Sequence, residues 1–300
     1  MTKPLSEQTV LVTGGSSGIG RETARSLARG GASVLLVSRG SGPGAEVAEQ
    51  LKRETGNPNV RFYPADLSSQ AEVRRVAAEV KREHRRLDVL VNNAGALYSE
   101  RKTSADGVEL TFALDHLSYF LLTVLLMEPL LNSPAPRIVS VASSAANFTK
   151  IDFGDLLKDK RYRGFEAYSQ AKLANILFTF QLERFLHNPP ATANVMHPGF
   201  VASGFGGGAS GSLFFRLARP LAKTPAQGAE TAVYLASSPE VEGVSGRYYI
   251  DQKPAAAPKT AYDRQVQARL WRRSRELVRL TEAEEAPLRQ VTPEIERGFL

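Results

Sequence analysis

Thr9 to Ala28 read TVLVTGGSSGIGRETARSLA. A short β-branched run passes through Gly14, Gly18 and Gly20 into an amphipathic helical pattern. Between a strand and a helix, glycines at that spacing permit a tight turn and let backbone approach a pyrophosphate, with the helix N-terminus facing the phosphates. Ser16, Ser17 and Ile19 complete the turn. A glycine triplet alone also arises from loop sterics. The strand before it and the helix after it are what make it a dinucleotide cradle.

Working outward, similar apolar runs recur with helical patterns between them: SVLLV from Ser33, VRFYP from Val60, DVLVN from Asp88, RIVSVA from Arg137, ANVMH from Ala193 and RYYI from Arg247. Strands that are continuously apolar are buried on both faces, and their alternation with helices predicts a Rossmann-type α/β fold: a doubly wound, seven-stranded parallel sheet. Three hundred residues with 42% hydrophobic content suit one such domain, residues 1–253, and a C-terminal helical tail, 254–300. In the tail, Tyr262, Val266, Leu270, Leu277 and Leu280 share one helical face with most arginines opposite. That face is read as packing on the parent domain or a partner subunit, with peripheral contact to an anionic membrane as the alternative. Residues 281–300 turn acidic and aperiodic and are expected to be loosely held.

Zero cysteines exclude disulfides, thiol nucleophiles and Cys-ligated metal, and His84, His116, His187 and His197 lack metal-ligand spacing, so no metal site is expected. The 38 Lys and Arg outnumber 31 Asp and Glu, but Lys259 to Arg279 holds seven basic and two acidic residues and so five of the net seven charges. The catalytic part is near neutral and carries no nucleic-acid module. No signal-like or transmembrane run opens MTKPLSEQTVLVTGG, which sets a cytoplasmic expectation.

Two further features carry chemistry. Tyr168 and Lys172 stand four apart in AYSQAKLAN, one turn on a common helical face, where an ammonium favours the phenolate and makes the phenol a usable acid or base. Ser143 ends a strand-like RIVSVASS and offers a hydroxyl for a carbonyl or alcohol oxygen; Ser144 is the alternative. At the end of the second strand, VLLVSRG places Ser38 and Arg39 where an acidic residue would bind the ribose hydroxyls of NAD. A hydroxyl and a guanidinium suit a 2′-phosphate, predicting NADP(H) over NAD(H), unless Arg39 is a solvated loop charge.

The glycine spacing, NNAG at 92–95, Ser143, the Tyr168 to Lys172 pair and PG at 198–199 together resemble the short-chain dehydrogenase/reductase family from residue 8 to about 253. DHLSYFLLT at 115–123, the long gap from Ser143 to Tyr168 and AKLANILFT at 171–179 are most similar to its retinol-dehydrogenase-like branch. The resemblance implies an oxidoreductase acting on lipophilic alcohols or carbonyls as a homo-oligomer, with Tyr168 as acid/base, Lys172 on the nicotinamide ribose and Ser143 on the substrate oxygen. It further implies that Asp66 and Leu67 touch the adenine, that Asn93, Ala94 and Gly95 support the central cofactor region, and that Pro198, Gly199, Val201 and Ser203 flank the nicotinamide. Asn93 and Gly95 also admit a purely strand-ending role, and Pro198 with Gly199 a turn.

One position departs from that resemblance. Asp115 stands where the family has an asparagine whose backbone carbonyl holds a relay water behind the lysine, and a carboxylate replaces an amide donor. His116 beside it reads as structural. Residues 144–166 and 200–223 interrupt the alternation and carry Phe148, Ile151, Phe153, Phe165, Phe205, Phe214 and Phe215, read as a lipophilic substrate wall with 200–223 as a lid, or as core contacts and an ordinary loop. The rival function is a catalytically impaired dinucleotide-binding regulator, with Asp115 as its trace.

Overall fold

The computed structural model describes residues 4–186, 191–201 and 222–292, and the structural statements here concern those residues. The opening segment folds as read: β1 (Thr9–Thr13) turns through the glycines into α1 (Gly18–Arg29). The helix buries Gly20, Thr23, Ala24, Leu27 and Ala28 along one stripe. The order of strands is β3–β2–β1–β4–β5–β6–β7–β8, with β2 at Ser33–Ser38, β3 at Val60–Pro64, β4 at Val89–Asn92, β5 at Arg137–Val141, β6 at Thr192–His197, β7 at Tyr248–Ile250 and β8 at Lys253–Ala255. The first seven are parallel, as expected. The eighth is an addition: Asp251 and Gln252 take left-handed φ of 50° and 63°, and β8 returns antiparallel on β7. Residue 253 opens the returning strand of this hairpin.

Chain order reverses between β1 and β4, both paired at the centre of the sheet. Open α/β sheets bind ligands in the crevice at such a switch point, outside the strand C-termini. One face of the sheet carries α1, α2 (Ser41–Thr55) and α8 (Pro225–Ser237); the apolar residues of α1 and α8 join Val10, Val12, Val34 and Leu36 in one core cluster. The other holds α3 (Gln70–Glu83), α4 (Leu110–Phe112), α5 (Ser118–Leu125), α6 (Met127–Leu131) and α7 (Gly164–Phe185). Between α4 and α5 the chain widens into a π-helical turn, Ala113–Leu117. Such turns insert one residue into a helix and recur at functional sites.

The α7 helix is buried nearly all round, from Gly164 to Phe185. A helix without a polar face needs cover on both sides, and the tail supplies it through α9 (Arg264–Val278). Gln267, Leu270, Trp271, Ser274 and Val278 form the buried stripe of α9. Val266, Leu277 and Leu280 are only partly buried and Tyr262 is 55% exposed, so the face is rotated from the one the aliphatic residues suggested. Trp271 is the anchor: it stacks on Phe178 at 5.8 Å and meets Phe120 and Phe185 edge-on at 4.8 Å each.

Of residues 281–300, expected to be loosely held, 282–291 form a helix, α10 (Glu282–Val291), and 293–300 lie outside the described residues. A capping box joins Thr281 and Glu284, Glu284 pairs with Arg74 of α3 at 2.6 Å, and buried Glu285 lies between Arg275 and Arg289 at 3.0 and 2.9 Å. Reciprocal capping and ion pairing replace the periodicity that the sequence lacks. The region 200–223 read as a lid, with Phe205, Phe214 and Phe215, lies outside the described residues except at its two ends. No helix among the described residues is long and apolar enough to cross a membrane.

Candidate active site

The crevice above β1 and β4 is closed by hydrogen bonds that start from Thr13. Its hydroxyl accepts from the Asn93 and Ala94 amides at 2.8 and 3.0 Å, and its carbonyl accepts from the Asn93 side chain at 2.8 Å. Gly14 has φ of 67°, and a Cβ on Gly20 would lie 2.4 Å from both the Gly14 carbonyl and the Asn93 amide nitrogen. The turn therefore admits no side chain at Gly20, and Ser17 begins α1 in extended conformation without capping it. These are the features that a pyrophosphate cradle needs. Asn93 spends its amide on the turn, so the strand-ending role left open for it is present in the structure.

Around the cradle, Arg39, Gly40, Pro64, Ala65, Asp66, Glu72 and Arg75 line an open depression beyond β2 and β3. Arg39 is exposed, and its charge acts on the half-buried Tyr98 hydroxyl. Asp66 accepts from the Ser68 amide and hydroxyl at 3.0 and 2.7 Å, while Leu67 turns into the core. On the opposite rim, Gly199 has φ of 85°, and a Cβ there would sit 2.9 Å from the Lys223 stem. Val201 bridges to Lys223, and a Cβ on Gly228 would meet Val201 at 2.6 Å and Ile19 at 3.3 Å, which brings the glycine turn and the segment after Pro198 together. Ser203 lies outside the described residues.

Ser143 continues from β5 in extended conformation and caps the following 3-10 turn, accepting from the Ala145 amide at 3.2 Å. Its hydroxyl also hydrogen-bonds Tyr168. Ser144 is exposed and its amide donates to His197 Nδ1 at 3.2 Å, so the two serines are separated by position and Ser143 is the one at the phenol. One turn along α7, Lys172 is 3% exposed and its Nζ lies over the rings of Tyr119 and Tyr168 at 5.5 and 5.6 Å. Asp115 Oδ2 is 3.0 Å from that Nζ, in a side chain with no exposure, and Oδ1 accepts from the Ala96 amide at 2.8 Å. Gly95 makes room for the pair: a Cβ there would lie 2.8 Å from Asp115 Oδ2 and 3.0 Å from Lys172 Nζ.

The electrostatics correct one expectation. Tyr168 was to be depressed by Lys172; instead burial, and after it the Asp115 carboxylate, hold the phenol well above its usual range, while Ser143 pulls the other way. Asp115 is itself pushed up to about 6 by burial, against the Lys172 charge and the Ala96 amide. An ammonium committed to a carboxylate has little charge left to offer a phenolate.

Behind this pair runs a polar chain of which the sequence reading had only His116, taken as structural, and Asp115. Asn175 donates to the Asp115 carbonyl at 2.8 Å, and its Oδ1 lies 3.2 Å from His116 Nδ1. Because an amide oxygen only accepts, His116 carries its proton on Nδ1, and Nε2 accepts from Ser274 of α9 at 2.9 Å. Burial pushes His116 down to about 4, so it is neutral. Asn175, three residues beyond Lys172, was visible as a same-face neighbour on α7; Ser274, more than a hundred residues away, had no sequence signal. Tyr119, one turn after Asp115, could have been found in the same way as Asn175.

Of the aromatics assigned to a substrate wall, Phe148 and Phe165 are 77% and 52% exposed, whereas Ile151 and Phe153 pack on the core and Phe153 is covered by Arg269 at 4.1 Å. The last two are thus core contacts, as the alternative reading allowed.

Known proteins match this architecture along most of its length. The family model described as short chain dehydrogenase matches residues 8–210. Human retinol dehydrogenase 14 is 41% identical over 282 residues, 88% of this chain and 84% of its own, and human polyprenol dehydrogenase is 36% identical, covering 91% and 86%. Among solved structures, an uncharacterized protein from Mycobacterium paratuberculosis superposes with a TM-score of 0.74 at 31% identity, covering 91% of this chain and 94% of that one. The Pseudomonas aeruginosa RhlG/NADP active-site complex gives 0.65 at 25% identity, with 82% and 96% covered. The chain therefore belongs to the short-chain dehydrogenase family, and its oxidoreductase architecture follows from that membership.

Proposed function

We infer that this chain is an NADP(H)-dependent oxidoreductase that interconverts a carbonyl and an alcohol on a lipophilic, retinoid- or steroid-like molecule. The observation that carries the reading is the Tyr168 hydroxyl held by Ser143, one helical turn from Lys172 and beside a glycine cradle that leaves no room for side chains. When bound, a nicotinamide dinucleotide supplies or accepts the hydride at the substrate carbon. Tyr168 exchanges the proton at the substrate oxygen, Ser143 orients that oxygen, and Lys172 binds ribose hydroxyls with the donors that Asp115 leaves free. Gly14 to Gly20 and the α1 N-terminus take the pyrophosphate, Asp66 and Leu67 border the adenine, Asn93 to Gly95 form the floor, and Pro198 to Val201 flank the nicotinamide.

NADP(H) is favoured because β2 ends in Ser38 and Arg39 with no acidic residue, and Arg39 lines the depression where a 2′-phosphate would lie. A lipophilic substrate is favoured by exposed Phe148, Phe165 and Phe200, on the three segments that carry Ser143, Tyr168 and Gly199. The relatives' names, retinol and polyprenol dehydrogenase, point the same way.

The test is turnover of NADPH and NADH with a panel of retinoid, steroid and straight-chain aldehydes and ketones. NADPH is expected to be used at least ~10-fold more efficiently, with the preference lost in Arg39→Ala and turnover abolished in Tyr168→Phe. Equal use of both cofactors, unaltered by the Arg39 substitution, sinks the cofactor assignment; tight NADPH binding with no turnover of any panel member supports the regulatory reading instead.

A further inference from the structure

Asp115 is a fully buried carboxylate whose two oxygens are committed to different elements: Oδ1 to the Ala96 amide after β4, and Oδ2 to Lys172 on α7. The π-helical turn sets its side chain at that depth, and Gly95 is the only kind of residue that fits between the carboxylate and the crevice. We propose that Asp115 is a positioning residue that keeps the Lys172 ammonium engaged on itself, leaving Tyr168 to act as a proton donor and confining the reverse, alcohol-oxidising use of the site to alkaline solution. This rests on the oxidoreductase reading for its consequence, though not for its physics.

Among the described residues, the groups facing Asp115 are few. Lys172 and Tyr168 face it from α7 and Tyr119 from α5; Glu109, at the head of α4, and Tyr98, after β4, act at longer range, and neutral His116 lies on its own turn. Lys172 is the one cation in this set, and its Nζ is on Asp115. A second negative charge on Tyr168 would share that single cation in a largely buried site, so the phenol form is the favoured one. In the reductive direction the Tyr168 O–H bond breaks as a new O–H bond forms on the carbonyl oxygen, while the electron pair arrives at the carbonyl carbon as hydride from the reduced dinucleotide. The products are the alcohol, the oxidised dinucleotide and a phenolate that regains its proton from solvent. The oxidative direction must begin from that phenolate, which is scarce at neutral pH.

Two readouts separate the proposal from the reading it rests on. Phenolate absorbance, taken as the wild type minus Tyr168→Phe difference, follows the titration of Tyr168 without any substrate. In wild type it is expected above the ordinary tyrosine range of about 10, and in Asp115→Asn at least ~1 pH unit lower. The rise of alcohol oxidation with pH is expected to move with it, shifting toward neutral pH by the same interval. Asp115→Ser, which removes the charge and leaves a small polar group, provides a second measurement should the asparagine variant fold poorly, and far-UV circular dichroism checks both. A Tyr168 titration that is ordinary in wild type, or unmoved by both substitutions, overturns the proposal. Absence of turnover with every panel member would count against the oxidoreductase reading alone, because the titration decides the role of Asp115 independently.

Discussion

At the scale of single residues, burial governs the charge states. His116 and His197 are both pushed down to about 4, chiefly by burial, whereas an unfolded chain takes up these protons near 6.5. The stability that these neutral imidazoles contribute is fully present above about 6.5 and is lost as pH falls toward 4. Asp115, raised to about 6, has the opposite sign: its contribution is present below its unfolded value and is lost as pH rises through 6. Two displaced imidazoles outweigh one carboxylate, so the thermal midpoint is expected to fall between pH 7 and pH 5. His116→Gln should lower stability at pH 7 yet give a shallower acid slope; a midpoint that rises on acidification would contradict the assignment. The sequence showed Tyr168, Lys172 and Ser143 as candidates through residue type and short spacing, and Asp115 only as a departure from the family that the chain resembles. It did not show that Lys172 would be turned to Asp115, since that depends on a contact across 57 residues and on the space left at Gly95.

Among the elements, α9 is held on the fold chiefly by one large side chain. Trp271 is 3% exposed and meets three phenylalanines from α5 and α7. Trp271→Ala is expected to cost about 3–5 kcal/mol, the range for emptying a large aromatic site. Trp271→Phe should cost much less, because the indole nitrogen is buried without an acceptor among the described residues, and its loss leaves no group unpaired. Urea titration of both variants checks this, and equal losses would mean that the nitrogen contributes. Helical period and an amphipathic stripe made α9 readable from its sequence. The centre of the stripe was misplaced because Trp271 and Ser274 sit among arginines and carry no aliphatic signal. For α10 the sequence offered even less, since its support is a capping box, Arg74 and the Arg275–Glu285–Arg289 set.

For the molecule as a whole, the tail is part of the core that holds the site. Ser274 closes the chain from Asp115 through Asn175 and His116, Gln70 and Arg74 of α3 donate to the Leu277 and Val278 carbonyls at 2.9 Å each, and the Thr292 hydroxyl donates to the Phe185 carbonyl. Trp271 is the single tryptophan of the sequence, so its fluorescence reports on the docked tail alone, and far-UV circular dichroism reports on the entire fold. The two signals are expected to change together in urea, with one midpoint; an earlier fluorescence transition would show a tail that detaches first. What the sequence by itself determined is local: strand and helix periods, the glycine turn, the one-turn spacing of Tyr168 and Lys172, and the family that these imply. Only the tertiary structure decided which cation meets which carboxylate, which carbonyl accepts from Asn175, and that the last helices brace the catalytic one. Those outcomes depend on burial and on contacts between residues far apart in the chain, and neither is encoded in any short stretch of it.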